Sequence, residues 1–418
     1  MKKKYFIAKI TVLIVVSVFA GVTCERFLKT HGVRFFTGFG SLSDAQLIQA
    51  VQRGNAADAR KFLERGADAN ARNRDGLTVL MMAAFDGRAG IVNTLLDAGA
   101  DFGAKENNFG FTAFELAAGN GKTGVLKILH AAGADVNATG NFTGTPAISL
   151  AAGRGWVEAV EFFVSAGADL EIKNKFGLSV LDAAVESGSA ETVKVLLAAG
   201  VDANSPGEDG LTALITASCV GFAGIVKVLL DAGADVNLPN DEGMTALMSA
   251  VVGANSAIFE EAFGEIVGEI AESLNSEAPG GGFAPKMQSM LSDKITEKTQ
   301  NIIKAGAGKH AEIVKMLLDA GADLNVQNAE GDTALILAAS SGNAEIAQIL
   351  LDAGAGVDLQ NETGVTALME AAYAGHLEMV KLLLAAGADA DAEDEDGDTA
   401  LDFAELGGHD DIVGFLGK

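Results

Sequence analysis

Only two cysteines, Cys24 and Cys219, occur in the chain, too few for a disulfide framework or a cysteine-based zinc site. The five histidines stand singly, so no metal site is expected. Basic residues are also scarce: 30 Lys and Arg face 56 Asp and Glu, a net charge of −26. Nucleic-acid binding needs a basic face to meet phosphates, and docking of the protein body on anionic lipid needs the same, so neither is expected. No Ser/His/Asp set, HExxH or paired-cysteine motif is present, and no cofactor is implied. Prolines number 5 against 51 glycines, yet 49% of residues are hydrophobic, a composition of folded chains and not of Gly-rich low-complexity ones.

Long apolar runs are missing except at the start. "MKKKYFIAKITVLIVVSVFAGVTC" carries Lys2, Lys3, Lys4 and Lys9, then a charge-free run of 14 residues from Ile10 to Thr23. That length fits the apolar core of a secretion signal and is short for a membrane span. The lysines favour the cytoplasmic side, so the chain beyond the leader is expected outside the cytoplasm. Val18-Phe19-Ala20 offers small residues for cleavage, and Gly21 to Cys24 weakly resembles a lipidation box. Cleavage, retention as an anchor and lipidation of Cys24 all remain open. Membrane contact is expected only through this leader or a lipid on Cys24.

Beyond the leader, glycines recur at Gly76, Gly110, Gly144, Gly177, Gly210, Gly243, Gly331, Gly364 and Gly397, mostly 33 residues apart. Such a period means stacked repeats. "DGLTALITASCVGFAGIVKVLLDAGADVNLPN" (Asp209 to Asn240) represents them. Thr212 is placed to cap a first helix, whose Ala213, Leu214, Ala217 and Ser218 make a small apolar face. Gly221 ends it. Ile225, Val226, Val228, Leu229 and Leu230 form a second helix, with Gly233 as its left-handed cap. One such pair cannot bury its apolar face alone, whereas a stack can.

"GxTxL", "AA", a glycine and "IVxxLLxxGADxN" together resemble the ankyrin repeat family, and Gly375 to Asp391 is close to its consensus. The resemblance covers about residues 44–254 and 310–418. It implies an all-α solenoid of about ten stacked helix-turn-helix units with turn or β-hairpin tips, binding other proteins and not catalysing. With the leader, it implies an exported member of bacterial-envelope type. Pro146 replaces the usual Thr and is expected to be tolerated at a helix start. In the first unit, Ser43 with Gln46 is placed to cap; the last unit reads as a polar cap.

The organisation is a leader at 1–24, a linker at 25–42, repeats at 43–254, an insertion at 255–309 and repeats at 310–418. The insertion separates the two helices of one unit, with Ala254 and His310 adjacent in the repeat frame. Its apolar spacing predicts two amphipathic helices around "PGGGFAP", the first acidic and the second more basic, as a hairpin. "GNGKT" (Gly119 to Thr123) ends like a P-loop, but Leu116 stands where another glycine is needed. His310, His376 and His409 hold the family's "GH" place and are expected as caps or turn residues. "DADAEDEDGD" (Asp389 to Asp398) reads as a solvated turn.

In this family, contacts come from turn tips and the inner helices of the concave face. Carried over by position, that selects Phe109, Phe111, Phe142 and Phe176 at tips, and Phe85 and Arg154 on inner helices. The expected partner is a protein, with a basic segment that meets the acidic later tips (Asp209, Asp241, Glu242, Glu330, Glu362, Glu395, Asp396). A tethered spacer without a ligand is the alternative.

Overall fold

The computed structural model describes residues 41–73, 75–107, 109–139, 143–255 and 308–417. The leader with Cys24, the linker up to residue 40, Phe142 and the expected amphipathic helices of the insertion lie outside the described residues. Among those described are 20 α-helices in ten pairs and no strand. The chain divides into two compact units, one ending at Val201 and the other beginning at Asp202.

The first unit holds five pairs: α1 Leu42–Arg53 with α2 Ala56–Glu64, α3 Val79–Phe85 with α4 Ala89–Asp97, α5 Ala113–Gly119 with α6 Thr123–Ala131, α7 Ala147–Ala152 with α8 Val157–Ser165, and α9 Val180–Glu186 with α10 Ala190–Ala198. The second holds five more: α11 Ala213–Val220 with α12 Ala223–Asp231, α13 Ala246–Gly253 with α14 His310–Asp319, α15 Ala334–Ser341 with α16 Ala344–Asp352, α17 Ala367–Tyr373 with α18 Leu377–Ala385, and α19 Ala400–Gly407 with α20 Asp410–Leu416. Within each unit, odd-numbered helices pack on odd and even on even, which makes two layers.

The layers follow from side-chain size. All eight residues of α11 are buried, and Ala213, Ala217 and Ser218 let its neighbours approach. Even-numbered helices are one-sided: α12 buries Ile225, Val226 and Leu229. Each such side chain removed from water contributes roughly 1.5–3 kcal/mol. Thr212 Oγ1 accepts from Ile215 N–H at 3.3 Å, and Gly221 closes the helix at φ 89°. Pro146 stands at the N-cap of α7 with φ −61°, and the helix runs on unbroken.

One expectation is corrected and two are made more specific. Ser41, not Ser43, caps α1: its extended backbone aims Oγ at Asp44 N–H (3.1 Å), while Ser43 already lies inside the helix. Among the described residues the tips take the turn form, with two isolated bridges, Arg72 to Thr78 and Thr139 to Pro146. The last pair exposes Asp402, Glu405, Asp410 and Asp411, as a polar cap would, but also Leu406 (75%) and Phe415 (38%).

Tips are built from one side chain each. Asn174 Oδ1 accepts from Phe176 N–H (2.9 Å) and Leu178 N–H (3.0 Å), and Asn240, Asn328, Asn361 and Asp394 repeat the arrangement. Neighbouring tips are joined by single backbone bonds, such as Lys175 N–H to Thr143 O at 3.0 Å. The Asn of "GADxN" is a second tie: Asn70 Oδ1 accepts from Asp101 N–H of the next pair at 2.7 Å.

Candidate interaction surface

The tip after α8 pushes Phe176 outward. Its N–H is held by Asn174, and its ring remains 40% exposed. Phe109 is half-buried and Phe111 is buried; their centroids lie 6.4 Å apart. Both donate backbone N–H to one Glu106 carboxylate oxygen, which curls this tip inward. Phe111, expected as a contact residue, is therefore part of the packing. Phe85 ends α3 half-buried, and Arg154 is half-buried in the turn between α7 and α8. Among the described residues Phe109 and Phe111 meet ring to ring, whereas Phe109 and Phe176 sit two repeat periods apart. At ~8–10 Å per packed helix layer, that is roughly 16–20 Å.

Trp156, which sequence reasoning passed over, is 43% exposed. Its Nε1–H donates to Gly119 O at 3.2 Å, and its ring lies over Gly121, where a Cβ would come within 2.7 Å of Cδ2. Gly121 has φ +62°, so the same residue both turns the chain and leaves room for the indole. The signal was available: Trp156 follows a glycine in the frame occupied elsewhere by His376 and His409.

Charge is unevenly shared. Residues 41–201 hold 14 basic and 18 acidic side chains, a net of −4. Residues 202–255 with 308–417 hold 4 basic and 29 acidic ones, a net of −25, with no arginine. Buried acids also occur. Glu115 is buried at the start of α5, where Thr112 N–H and Oγ1–H donate to Oε2 at 2.8 and 3.0 Å. Burial outweighs these bonds and raises its pKa, and Asp182 against Ser179 behaves alike. Cys219 is fully buried, which raises its thiol pKa far above the ordinary range and leaves it unreactive. Among the described residues no group of His, Cys, Asp and Glu is placed to hold a metal, and no helix is long and apolar enough to cross a membrane.

A family model described as ankyrin repeats (3 copies) matches residues 47–140, 114–207, 199–261, 301–394 and 353–418. The chain belongs to the ankyrin-repeat family. Ankyrin repeats are protein-interaction modules and generally non-catalytic, which suits a layered stack with exposed aromatic rings. Parts of this ankyrin-repeat protein are similar to the mitochondrial disaggregases of Bos taurus (44% identical over 61 residues) and Homo sapiens (43% over 61). A stretch of 66 residues is also similar to the 2-5A-dependent ribonuclease of Mus musculus (46% identical). These stretches cover 15–16% of this chain and 9% of each relative. The chain thus spans under a tenth of their length.

Proposed function

We propose that the protein is an exported, non-catalytic scaffold that holds a protein partner against the tips and inner helices of its first unit. The observation carrying this reading is Phe176, a large ring held 40% exposed at a tip by a two-bond asparagine turn. An aromatic ring on a rigid turn costs little entropy to order and is a common anchor in interfaces. In the same unit Phe109, at another tip, and Trp156, in the turn between α7 and α8, also reach solvent, and Phe85 and Arg154 are half-buried. The net charge of −25 on the second unit favours a partner with a basic segment.

Export rests on the lysine-flanked apolar leader, and Cys24 offers a lipid attachment point. The test places a photo-crosslinking residue at position 176 of the full chain in cells, with position 191, on the exposed side of α10, as control. A discrete adduct from 176 alone supports the reading. Equal labelling from both, or none, overturns it. A reporter active only after export, fused behind Lys418, tests the location separately.

A further inference from the structure

In the last two helix pairs the inner layer changes character. The seventh residue after each capping threonine is Cys219 in α11 and Val252 in α13, both buried. In α17 and α19 it is Tyr373, 51% exposed, and Leu406, 75% exposed. Phe403, half-buried on α19, packs its ring edge-on to Tyr373 with centroids 6.4 Å apart. Phe403 and Leu406 are three residues apart on α19 and share a face. One helical turn beyond a 6.4 Å ring contact makes a strip of roughly 10–12 Å.

Carboxylates line this strip. Asp402 and Glu405 on α19 are exposed, and Glu370 on α17 is half-buried. Asp402 is held below the ordinary carboxylate range by Thr399, whose Oγ1–H and N–H donate to Oδ2 at 2.6 and 2.8 Å. Its charge is therefore kept well below neutral pH. The nearest lysine on these four helices, Lys381, is paired with Glu378 at 2.7 Å.

We infer that Tyr373, Phe403 and Leu406 form a docking strip for a basic amphipathic helix of a protein partner. The inference rests on the scaffold reading above. A strand has no sheet edge to join among the described residues. A helix presents anchors at i and i+7, ~10.5 Å apart, which matches the strip. Its flanking Lys or Arg side chains would meet Asp402, Glu405 and Glu370, and a cation can lie over the exposed Tyr373 ring.

The probe is a labelled amphipathic peptide of leucine and lysine, about five helical turns or ~18 residues long. A second peptide of equal charge has every leucine replaced by serine. Binding to the full chain is read by fluorescence anisotropy at about 0.15 M salt, where long-range attraction is screened. The leucine peptide should bind at least ~10-fold tighter than the serine peptide, and Tyr373→Ser/Leu406→Ser should remove that advantage, as loss of a hot spot does. Tyr373→Phe should keep it. Leu406→Glu, at a more exposed site, serves if the double variant does not fold. Equal binding of both peptides, or an undiminished advantage in the folded variants, overturns the inference. If the position-176 crosslink persists in the double variant while the peptide result fails, the scaffold reading stands and this strip alone falls.

Discussion

His310 Nε2 lies 3.0 Å from the carbonyl oxygen of Cys219, 91 residues earlier. His409 Nε2 makes the same bond to Tyr373 O at 3.0 Å across 36 residues. The difference between 91 and 36 is the 55 residues from Asn255 to Lys309. The inserted stretch thus leaves the repeat frame intact, with α13 and α14 packed together on either side of it. Arg88 (to Gln52 O) and Trp156 (to Gly119 O) occupy the same place in the frame. At this place in the frame Arg88, Trp156, His310 and His409 tie neighbouring pairs together, whereas Asn55, Ser189 and Asn343 cap their own helices.

Removal of Asn255 to Lys309, joining residue 254 to His310, should leave a folded second unit. Ala254 would then stand where Gly221 and Gly342 adopt φ of 89° and 69°. A left-handed alanine costs ~1–2 kcal/mol. The deletion carrying Ala254→Gly should therefore be more stable than the plain deletion by about that amount, measured by urea melts. A molten product from both would show that the insertion belongs to the core.

Gly253 is required for close approach. A Cβ there would lie 1.9 Å from Cys219 O and 2.9 Å from His310 Nε2. Gly253→Ala should therefore cost several kcal/mol, in the upper tail of single substitutions, above ~4. Gly66→Ala meets nothing within 4 Å and suffers only its φ of +87°. It should cost about 1 kcal/mol. Paired thermal melts separate the two.

His310 should make stability pH-dependent. Burial lowers its pKa from the ordinary 6.5, so the unfolded chain takes up this proton before the folded one does. Its contribution is complete above about pH 6.5 and is lost as pH falls towards and through the folded value. Melts of wild type and His310→Gln between about pH 8 and 5 should converge on the acid side. Parallel curves would refute the linkage.

Glu115 has the opposite sign. Its folded pKa is raised by burial, so stability falls as pH rises from the ordinary 4.5 through the folded value. Glu115→Gln keeps an acceptor for Thr112 N–H and removes the buried charge. It should stabilise the first unit by up to about 1 kcal/mol at neutral pH, seen as a raised Tm. A lowered Tm would mean that the carboxylate is well compensated.

Phe111 and Phe176 should separate folding from binding. Phe111→Ala empties a buried site and should cost ~3–5 kcal/mol. Phe176→Ala should leave Tm nearly unchanged and weaken partner capture at least ~10-fold. A sharp fall in Tm for Phe176→Ala would place its ring among structural residues.

Much of the fold was legible in the order of residues alone. The 33-residue glycine period, the capping threonines and the apolar triplets of the even-numbered helices dictate short helices that must stack, because no single pair buries its own apolar face. What the sequence could not decide was which way a ring turns at a tip. Phe111 and Phe176 follow and precede their marker glycines in equivalent turns. Phe111 takes the place of Leu77, Leu178 and Leu211, all buried, while Phe109 and Phe176 both precede their glycines and yet one is half-buried and the other 40% exposed. Likewise Trp156, Tyr373 and Leu406 are ordinary residues of their repeats until neighbouring pairs leave them uncovered. Local period and capping are set by adjacent residues. Exposure is set by what the next layer brings against a side chain, and that is decided only when the layers pack.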